Sequence, residues 1–595
     1  MMIKKKIDTL FVKSEQRKIL FIFFGIVVMA FLEVVGISLI APFIAIISTP
    51  EIIHENQYLS FVYKFLDIGN DNDFISFLGV VVVVMLLISN SYQAFMTWKI
   101  TYFIQMQTQR LSVRLLQQYL LQPYSFFLNK NTSELSKNIL FEVAKSLGGV
   151  VLQGIMVCSK IIMGLFIIIL LLVVDPIIAI VASVVLGGFY WFIYFIVRRR
   201  LRRIGIASTK ATFNTYKSVN EALSGIKDIK LRASEKEFLK RFYIPSKELA
   251  NYSAQHTLIS ALPRYLLEVI AFGGIAIIAI ATLSAEKSNG ETISIIALYA
   301  LAGYRLMPAL QQIYSGITGI RYTLPSLEIL IDDLMRTTGK TNTQSAVQKL
   351  NFKKYFQIKD LDFSYPGSDR RVLKKLNLTI KANTTVGIVG TTGSGKTTLI
   401  DILLGLLMPE AGTVIVDGVK VNGENLPKWQ EKIGYVPQVI YLTDDTIENN
   451  IAFAVPEEKI SIERVKKVSK MVKLNNLIND LPSKYKTFVG ERGVRLSGGQ
   501  QQRIGIARAL YLEPSVLVLD EATSSLDGIT EGAIMDALSG LSHKKTIIMI
   551  AHRLSTIKEC DIIHLIDDGC VKDSGTYQEL MDKSSEFRKM AKLSF

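Results

Sequence analysis

Cysteine is scarce in this sequence, and its placement suggests neither a metal centre nor a disulfide framework. The 595-residue chain contains Cys158, Cys560 and Cys570, and their spacing does not match the paired ligands of a zinc site. None of them falls in a loop that we predict to lie on the external side of the membrane. We therefore expect three free thiols.

Acidic residues are outnumbered. Lys and Arg together number 68 and Asp and Glu 52, which gives a formal net charge of +16. Such an excess can indicate nucleic-acid binding, but it is also typical of a membrane protein with basic residues on its cytoplasmic side. The basic run Arg198–Arg203 directly follows an apolar stretch. This favours the membrane interpretation, and we predict no nucleic-acid partner.

Polar residues are rare over long stretches of the first 325 residues. Six apolar runs are long enough for the roughly 20 residues that a helix needs to cross a bilayer. They lie near Leu20–Ser48, Phe74–Trp98, Val150–Val174, Ile177–Val197, Leu258–Ser284 and Thr292–Ile317. The basic residues at the N-terminus and after the fourth run place both termini in the cytoplasm. We predict an all-α transmembrane domain over residues 1–325.

Proline and glycine are sparse in the two internal connections, residues 99–149 and 198–257. Their sustained helical periodicity predicts that the membrane helices continue well into the cytoplasm. Each connection has a sharp polar break near its middle. We predict cytoplasmic turns near residues 130–136 and 224–230.

The first external connection contains an apolar segment, ENQYLSFVYKFLD, at residues 55–67. At about 100° per residue, Ser60 and Lys64 occupy one face of a helix. The other face carries Tyr58, Leu59, Phe61, Val62, Phe65 and Leu66. This pattern predicts a short amphipathic helix, about residues 56–67, in the outer-leaflet interface. Such a helix could contact a lipidic cargo or seal the outer ends of the spans.

After residue 350 the chain alternates like a soluble α/β domain, and its strongest motif is a glycine-rich loop between a predicted strand and a predicted helix. The pattern Gly-x-x-x-x-Gly-Lys-Thr places backbone N–H groups and a helix N-terminus around phosphate groups. Lys396 would reach the β- and γ-phosphates, and Thr397 would ligate Mg²⁺. The predicted ATP-binding residues of the loop are Gly390, Thr391, Thr392, Gly393, Ser394, Gly395, Lys396, Thr397 and Thr398.

A second predicted strand, Val516–Leu519, ends in two acids, Asp520 and Glu521. Asp520 is suited to the Mg²⁺ shell, and Glu521 is suited to orienting or deprotonating the attacking water. Between the two motifs, the stretch Leu496-Ser497-Gly498-Gly499-Gln500 precedes an amphipathic helix. The domain therefore has two helix starts that can hold an anion.

In combination these motifs resemble the ATP-binding cassette of ABC transporters, over residues 351–595. The resemblance implies that ATP and Mg²⁺ bind here. Tyr365 would stack on adenine, Gln438 would sense Mg²⁺ and water, and His552 would contact the γ-phosphate. Ser525, Leu526 and Asp527 would form the loop that follows the two acids. The implied catalytic set is Lys396, Gln438, Glu521 and His552, and the implied Mg²⁺ ligands are Thr397, Gln438 and Asp520. Ser497, Gly498, Gly499, Gln500 and Asp527 complete the implied ATP contacts.

One cassette and six spans make the chain resemble a half-transporter. In that family two cassettes sandwich ATP head to tail, which implies a homodimer with two active sites. It also implies a bacterial inner membrane location with the cassette in the cytoplasm. The turns near residues 130–136 and 224–230 would then be coupling helices. Residues 326–350 are predicted to be a linker.

Ionisable residues inside apolar runs are energetically expensive and therefore mark functional candidates. Glu33, Arg264 and Arg305 stand out, with Lys160 as a further cation. In a homodimer the two arginines would give about four cations around one inward-facing cavity, which suits a phosphate or pyrophosphate group. The alternative is structural pairing, of Arg264 with Glu268 four residues later or of Glu33 with Arg305.

The stretches Leu32–Phe43, Leu262–Glu268 and Tyr304–Pro308 also resemble the membrane domain of PglK-type lipid-linked oligosaccharide flippases. This implies flipping of a polyprenyl-pyrophosphate-linked oligosaccharide from the inner to the outer leaflet, with the arginines at 264 and 305 lining the cavity. A further arginine of that family, in the second span, is not evident here. The alternative is a general type I exporter of drugs or other membrane lipids, which would be indifferent to Arg305→Ala.

Overall fold

The structure is a computed structural model of the whole chain. It describes all residues except 1–9, 49, 56, 66–69, 175, 284–288, 337–349, 523–527, 552–553 and 594–595. The described residues form two compact units. One contains residues up to 122 and from 129 to 336, and the other contains residues 123–128 and those from 350 onward.

The first unit is helical in its described part. Its α-helices are Lys13–Ser38, Ile40–Ser48, Ile52–Glu55, Gln57–Phe65, Asp71–Leu120, Thr132–Lys137, Val143–Ser146, Gln153–Val174, Pro176–Ser224, Ile226–Leu231, Glu235–Leu283 and Asn289–Arg336. Two short π-helices, Asn138–Glu142 and Leu147–Leu152, separate the α-helices Thr132–Lys137, Val143–Ser146 and Gln153–Val174 from one another.

Three helical stretches among the described residues are long and apolar enough to cross a membrane. They are Lys13–Gly36, Asp71–Leu120 and Thr132–Leu172. The other three predicted spans lie in the long helices Pro176–Ser224, Glu235–Leu283 and Asn289–Arg336, where many side chains fall outside the described set.

The first predicted span is broken rather than continuous. One helix ends at Ser38, Leu39 forms a turn, and a second helix begins at Ile40. Pro42 explains the break, because proline has no N–H to donate to the Ser38 carbonyl four residues earlier. The Ser38 hydroxyl donates to the Val35 carbonyl at 2.9 Å.

The apolar segment of the first external connection forms the helix Gln57–Phe65. Leu59 and Tyr63 pack against the buried side chains of Ile46, Ile53 and Phe74. The side chains of Phe61 and Phe65 stack on each other at 6.2 Å between ring centroids, and they are 69% and 78% exposed. The helix therefore has an anchored face and an exposed aromatic face. The apolar set predicted from the sequence omitted Tyr63, which is part of the anchor.

The structure has a break between helices close to the first turn that the sequence predicts, near residues 130–136. A short helix, Tyr124–Leu128, separates the helix ending at Leu120 from the one beginning at Thr132, and residues 123–128 belong to the same compact unit as the cassette. Pro123 fits the first position of a helix and cannot continue the preceding one. Residues 132–136 are instead the start of the next helix, where the Asn131 side chain accepts from the Ser133 N–H at 2.8 Å.

The second cytoplasmic turn falls at Gly225, between the helix ending at Ser224 and the short helix Ile226–Leu231. The last helix of the first unit continues to Arg336. The domain boundary predicted at residue 325 therefore lies inside a helix, and most of the predicted linker lies outside the described residues.

The second unit contains ten strands in its described part. They are β1 Tyr355–Ser364, β2 Arg371–Lys381, β3 Thr385–Gly390, β4 Ala411–Val416, β5 Val419–Lys420, β6 Ile433–Val436, β7 Val516–Asp520, β8 Thr546–Ile550, β9 Ile562–Asp567 and β10 Cys570–Gly575. Its α-helices are Tyr124–Leu128, Lys396–Leu403, Leu426–Gln430, Ile447–Ile451, Ile462–Met471, Asn475–Asp480, Gly498–Tyr511, Gly528–Ser539, Tyr577–Lys583 and Ser585–Leu593.

These strands form two sheets. The smaller is antiparallel, with the order β2-β1-β4-β5, and the larger has the order β10-β9-β3-β8-β7-β6. In the larger sheet all pairs are parallel except β10 with β9. Strands β3, β7 and β8 are buried along their whole length, which is why they read as continuous apolar runs. Because β3 and β7 both flank β8 in parallel, their carboxyl ends meet at one edge of the sheet.

Candidate nucleotide site and cavity residues

The glycine-rich loop connects the buried strand β3 to the helix Lys396–Leu403. Gly393 and Gly395 adopt φ of +81° and +103°, a region that disfavours any residue with a Cβ. At Gly390 a Cβ would lie 2.2 Å from the Ile566 carbonyl oxygen. The loop conformation therefore requires glycine at these positions.

The loop has an interior that can receive phosphate oxygens. Thr391, Thr392, Gly393 and Thr397 are exposed, whereas Ser394 is buried. The Ser394 hydroxyl has no hydrogen-bond partner among the described residues. A buried hydroxyl without a partner is costly, at about 1–3 kcal/mol, and an oxygen-rich ligand would remove that cost.

Lys396 folds back into the loop. Its ammonium donates to the carbonyl oxygens of Gly390 and Thr391, at 2.8 and 2.9 Å. Burial lowers the pKa of Lys396, and the charges of Glu521 and Asp520 act in the opposite direction. The loop lysine and the two strand-end acids therefore share one electrostatic environment, as the sequence predicts.

The two acids lie where β7 ends. Asp520 is buried, and the Tyr435 hydroxyl donates to it at 3.4 Å. Glu521 has a φ of +49°, which costs of order 1–3 kcal/mol for a residue with a side chain. Its N–H donates to the Ile550 carbonyl of β8 at 3.1 Å. Gln438 donates to the Glu521 carboxylate at 2.8 Å.

The residues around Asp520 fit a magnesium ion. Mg²⁺ binds through one or two carboxylates together with substrate phosphates and waters. Asp520 would supply the carboxylate, and Thr397 and Gln438 would supply neutral oxygen ligands. Consistent with concentrated negative charge, the pKa of Asp401 is raised to about 6 by burial and then by Asp520. No cluster of three or more His, Cys, Asp or Glu side chains with metal-ligand geometry occurs among the described residues.

Asp401 is a residue that the sequence analysis missed. It lies five positions after Lys396 on the same helix, and apolar residues surround it in the sequence. Its position as a charged residue within an apolar helix segment could have marked it as a candidate site residue. Tyr124, in the short helix grouped with the cassette, has its pKa raised by burial and by the charges of Asp401 and Tyr365.

Tyr365 contacts the helix that follows the phosphate loop. Its hydroxyl is 3.0 Å from the Thr398 hydroxyl, and its ring packs edge-on against Phe363 at 5.2 Å between centroids. The predicted role on adenine needs a free ring face, and the structure leaves the ring half-buried.

The stretch Ser497–Gln500 begins the helix Gly498–Tyr511, as predicted. Ser497 and Gln500 form a reciprocal capping box, with distances of 3.3 and 2.9 Å. Ser497 and Gly498 are exposed. This exposed helix start is accessible to a ligand that arrives from outside the chain.

Four predicted residues of the site, Ser525, Leu526, Asp527 and His552, lie outside the described residues. Arg508 is a further residue that the sequence analysis did not single out. It donates to the carbonyl oxygens of Asn450 and Tyr441 at 2.8 and 2.7 Å, so it ties the segment after Gln438 to the helix that begins at Gly498.

The cavity candidates have mixed outcomes. Arg264 donates to Glu268 at 2.9 Å on the same helix, and its side chain is 64% exposed. This is the structural pairing that the sequence left open. Glu33 is buried, and the Lys160 ammonium lies 3.7 Å from the Met163 sulfur. The Arg305 side chain lies outside the described set.

Comparison with known proteins identifies the class. A family model of the ABC transporter transmembrane region matches residues 19–308, and a family model described as ABC transporter matches residues 373–524. The chain is 31% identical over 407 residues to the "ATP-dependent lipid A-core flippase" of Pseudoalteromonas translucida, which covers 67% of this chain and 68% of that protein. The chain therefore belongs to the ABC transporter family.

Two further similarities bear on the fold and length. The chain is 34% identical over 369 residues to the "ATP-dependent lipid A-core flippase" of Saccharophagus degradans, a match that covers 62% of this chain and 61% of that protein. The solved "Structure of a bacterial Atm1-family ABC exporter with ATP bound" superposes with a TM-score of 0.78 at 21% identity and covers 95% of this chain and 98% of that one. This confirms the predicted fold class, a helical transmembrane domain followed by an α/β cassette.

Proposed function

We propose that this chain hydrolyses ATP and uses the energy to move a lipidic cargo from the inner to the outer leaflet. It would act as a homodimer in a bacterial inner membrane. The observation that carries the ATPase part is the convergence of the phosphate loop with the two acids of β7. Lys396 and the carboxylates of Asp520 and Glu521 influence one another, and Gln438 holds Glu521 at 2.8 Å.

In this proposal the chain's own residues position ATP and water for hydrolysis. Lys396 binds the terminal phosphates, and Thr397, Gln438 and Asp520 hold Mg²⁺, which neutralises charge on the phosphates. Glu521 orients a water molecule and accepts its proton as the oxygen attacks the γ-phosphorus. The bond between the γ-phosphorus and the bridging oxygen breaks, which leaves ADP and inorganic phosphate.

A homodimer accounts for the exposed start of the helix Gly498–Tyr511. A helix N-terminus favours an anion by its dipole and free N–H groups. Ser497 and Gly498 are exposed, so the partner's bound ATP can approach them. Each of the two sites would then consist of residues from both chains.

Two kinds of similarity support a proposal for the cargo. Relatives of this chain are named ATP-dependent lipid A-core flippases, and motifs in the spans resemble flippases of polyprenyl-pyrophosphate-linked oligosaccharides. Both cargo types join lipid tails to sugars and phosphate groups. We therefore propose a phosphorylated glycolipid, with the oligosaccharide carrier as the finer candidate. Export of drugs or of other membrane lipids is the second candidate.

Flipping in proteoliposomes tests the proposal. Labelled polyprenyl-pyrophosphate glycan, lipid A-core and a plain phospholipid would each be assayed with ATP and with no nucleotide. We expect ATP-dependent movement of a phosphorylated glycolipid at a rate several-fold above that of the phospholipid. Equal rates for all three would favour the general exporter, and no ATP-dependent movement of any would contradict the proposal.

Arg264 offers a matched comparison within one helix. Arg264 and Glu268 form an exposed i,i+4 pair, and so do Arg241 and Glu237. If Arg264 binds the cargo phosphate, Arg264→Ala lowers the flipping rate while basal ATPase persists, and Arg241→Ala lowers neither. Equal flipping by the two variants would leave Arg264 with the structural pairing alone. Arg305→Ala belongs in the same series.

A further inference from the structure

An open cavity of ≈ 590 Å³ lies within the transmembrane unit, and its lining residues do not include Glu33, Arg264 or Arg305. We call it the Lys145 cavity. Three helix segments line it, within residues 144–153, 256–261 and 311–323. These segments coincide with the cytoplasmic ends of the third, fifth and sixth predicted spans. The volume lies within the range of about 300–1,000 Å³ that ligand pockets occupy.

Tyr322 positions two nitrogen-bearing side chains in this cavity. The Lys145 ammonium lies 5.4 Å from the centroid of the Tyr322 ring. The His256 ring is stacked on the same ring, at 4.2 Å between centroids and 18° between planes. The Tyr322 hydroxyl is 2.7 Å from the Ser208 hydroxyl, which fixes the tyrosine. Lys145 and His256 are therefore held on one platform.

The His256 side chain has a hydrogen-bonding group that the described residues leave unused. The Nε2 atom of His256 is buried and has no hydrogen-bond partner among the described residues. Burial lowers the pKa of Lys145, and the charge of Glu142 opposes that shift. The Glu142 carboxylate itself lies 3.2 Å from the Lys137 ammonium. A buried nitrogen without a hydrogen-bond partner is unfavourable, and a ligand with acceptor oxygens would remove that cost.

The charge in the cavity comes from lysine. Burial, and then the charge of Lys145, lowers the pKa of His256. This shift favours the neutral imidazole, which can donate one hydrogen bond when its proton is on Nε2. The cavity combines one cation with one neutral donor.

The rest of the wall supplies more donors than a carboxylate ligand could use. The side chains of Gln153, Thr257 and Thr323 line the cavity and add amide and hydroxyl groups. A carboxylate offers two acceptor oxygens, whereas a phosphate monoester offers three. The donor set therefore favours a phosphate group.

Glycine keeps the cavity open. A Cβ built at Gly148 meets nothing within 4 Å, and one at Gly319 meets the Gln153 side chain at 3.9 Å. Both glycines line the cavity. A larger side chain at Gly148 would enter the empty space without displacing a neighbour, so the cavity can be filled by one substitution.

We propose that the Lys145 cavity binds a phosphate-bearing ligand at the inner membrane surface. The phosphate belongs either to the head group of an inner-leaflet lipid or to a small soluble compound, since the same donors recognise both. The proposal does not depend on which cargo the protein moves, because the cavity residues differ from Arg264, Arg305 and Glu33.

Thermal unfolding of the full chain tests the proposal in dodecyl maltoside, a detergent without phosphate. ADP and Mg²⁺ are present to fill the nucleotide site. The probes are dioctanoyl phosphatidic acid, inorganic phosphate and dioctanoylglycerol, the last being a lipid of the same tails without phosphate. We expect a rise in melting temperature with phosphatidic acid if the source is a lipid, with inorganic phosphate if it is soluble, and no rise with dioctanoylglycerol.

Three variants locate the binding. Lys145→Gln and Gly148→Leu should weaken the affinity for the active probe at least tenfold. Lys247→Gln removes an exposed lysine of the helix that carries His256 and should leave the affinity unchanged. The melting temperature without probe reports whether each variant folds. Because Lys145→Gln and Gly148→Leu change different residues, the test still works if one of the two variants does not fold.

Three results would overturn the proposal. The first is the absence of any shift with both phosphate probes. The second is an equal shift with dioctanoylglycerol, which would assign the effect to the acyl chains. The third is an unchanged affinity in a folded Lys145→Gln protein. None of these results bears on ATP hydrolysis or flipping, so the proposed function is tested separately.

Discussion

Glu521 adopts a backbone conformation that glutamate rarely takes, and its neighbours hold it there. Its N–H bonds to β8, and Gln438 bonds to its carboxylate. Strain of this kind persists where the surroundings over-determine it, and it clusters at functional sites. The carboxylate is therefore aimed before any nucleotide binds.

Glu521→Gln should abolish turnover while ATP still binds. The amide keeps the shape and the contact with Gln438 but cannot accept a proton, so we expect at least a hundredfold loss of ATPase, within the range of about 10²–10⁴ for a general base. A closed dimer should accumulate with ATP on size-exclusion chromatography. Glu513→Gln, at an exposed glutamate paired with Lys467, is the control. Brisk turnover by Glu521→Gln would remove the assignment.

The carboxyl of Asp401 should make the cassette less stable as the pH rises. Its pKa in the folded protein is raised from 3.8 to about 6, so between these values the folded state binds more protons than the unfolded state. The free energy of unfolding therefore falls with rising pH across this window and stays lower above it.

Asp401→Asn should remove this loss. At pH 7.5, without nucleotide and with EDTA, we expect the variant to melt about 2–4 °C above the wild type, which corresponds to about 1 kcal/mol. The difference should shrink as the pH falls toward 4. Asp536→Asn, at an exposed aspartate, is the control. A constant difference at every pH would show that the effect does not arise from titration.

At the residue scale, the sequence identifies side chains that occur in contiguous motifs and misses partnerships between distant segments. Lys396 and Glu521 follow from local pattern. The bond between Gln438 and Glu521 joins residues far apart in the chain. The pKa of Asp401 is raised by burial and then by the charge of Asp520, and both depend on tertiary packing. The Arg264–Glu268 pair was foreseeable as an alternative because it spans one helical turn.

Among the elements, the helix Gln57–Phe65 has one face suited to sealing the spans and another suited to contact with lipid, which the sequence left as alternatives. Leu59 and Tyr63 anchor it, which suits sealing. Phe61 and Phe65 point away from the anchor and are exposed, which suits contact with lipid. Aromatic side chains are favoured at membrane interfaces.

Phe61→Ser combined with Phe65→Ser should weaken stimulation of the ATPase by lipid several-fold and leave the basal rate nearly intact. These rings make few internal contacts, so the fold should survive. Tyr63→Ser is the matched comparison, since it removes an anchoring ring and should lower the melting temperature. Equal losses of basal and stimulated activity in the double variant would support the sealing role instead.

The prolines of the first unit show how far helix ends can be predicted from the sequence. Pro42 and Pro123 lie at breaks, whereas four other prolines lie inside continuous helices, at Pro245, Pro263, Pro308 and Pro325. Proline removes one backbone hydrogen bond everywhere, but packing against neighbouring helices decides whether the chain continues. That packing is not readable from local sequence, which limits how closely helix ends can be predicted.

For the whole molecule, a composite site predicts rescue between two defective chains. Lys396→Ala disables the phosphate loop and Ser497→Arg blocks the opposing helix start. Each variant alone should have little ATPase. After co-expression, mixed dimers should recover about half of wild-type turnover, because each two-fold mixed dimer would keep one intact site of its two.

The rescue experiment has a clear opposite outcome. If each chain built its site alone, both defects would persist in every dimer and co-expression would restore nothing. Two copies of Lys396→Ala with different tags provide the control for assembly. The readout is ATPase of dimers purified through both tags in sequence.

The fold class was predictable because its two halves use different periodicities. Long apolar runs predict membrane helices, and short buried runs between glycine-rich turns predict a parallel sheet. The comparisons confirm that class. The Lys145 cavity was not predictable, because its wall comes from three helices far apart in the sequence.

The bonds from Lys396 to the carbonyls of Gly390 and Thr391 have a consequence for nucleotide entry. The ammonium acts as an internal template that keeps the loop in a receptive shape before a phosphate arrives. Binding then requires exchange of partners rather than ordering of a disordered segment, so little conformational entropy is lost at that step. In the proposed site, the lysine that would hold the γ-phosphate would return to these two carbonyl oxygens after phosphate release, so the loop would keep its shape for the next cycle.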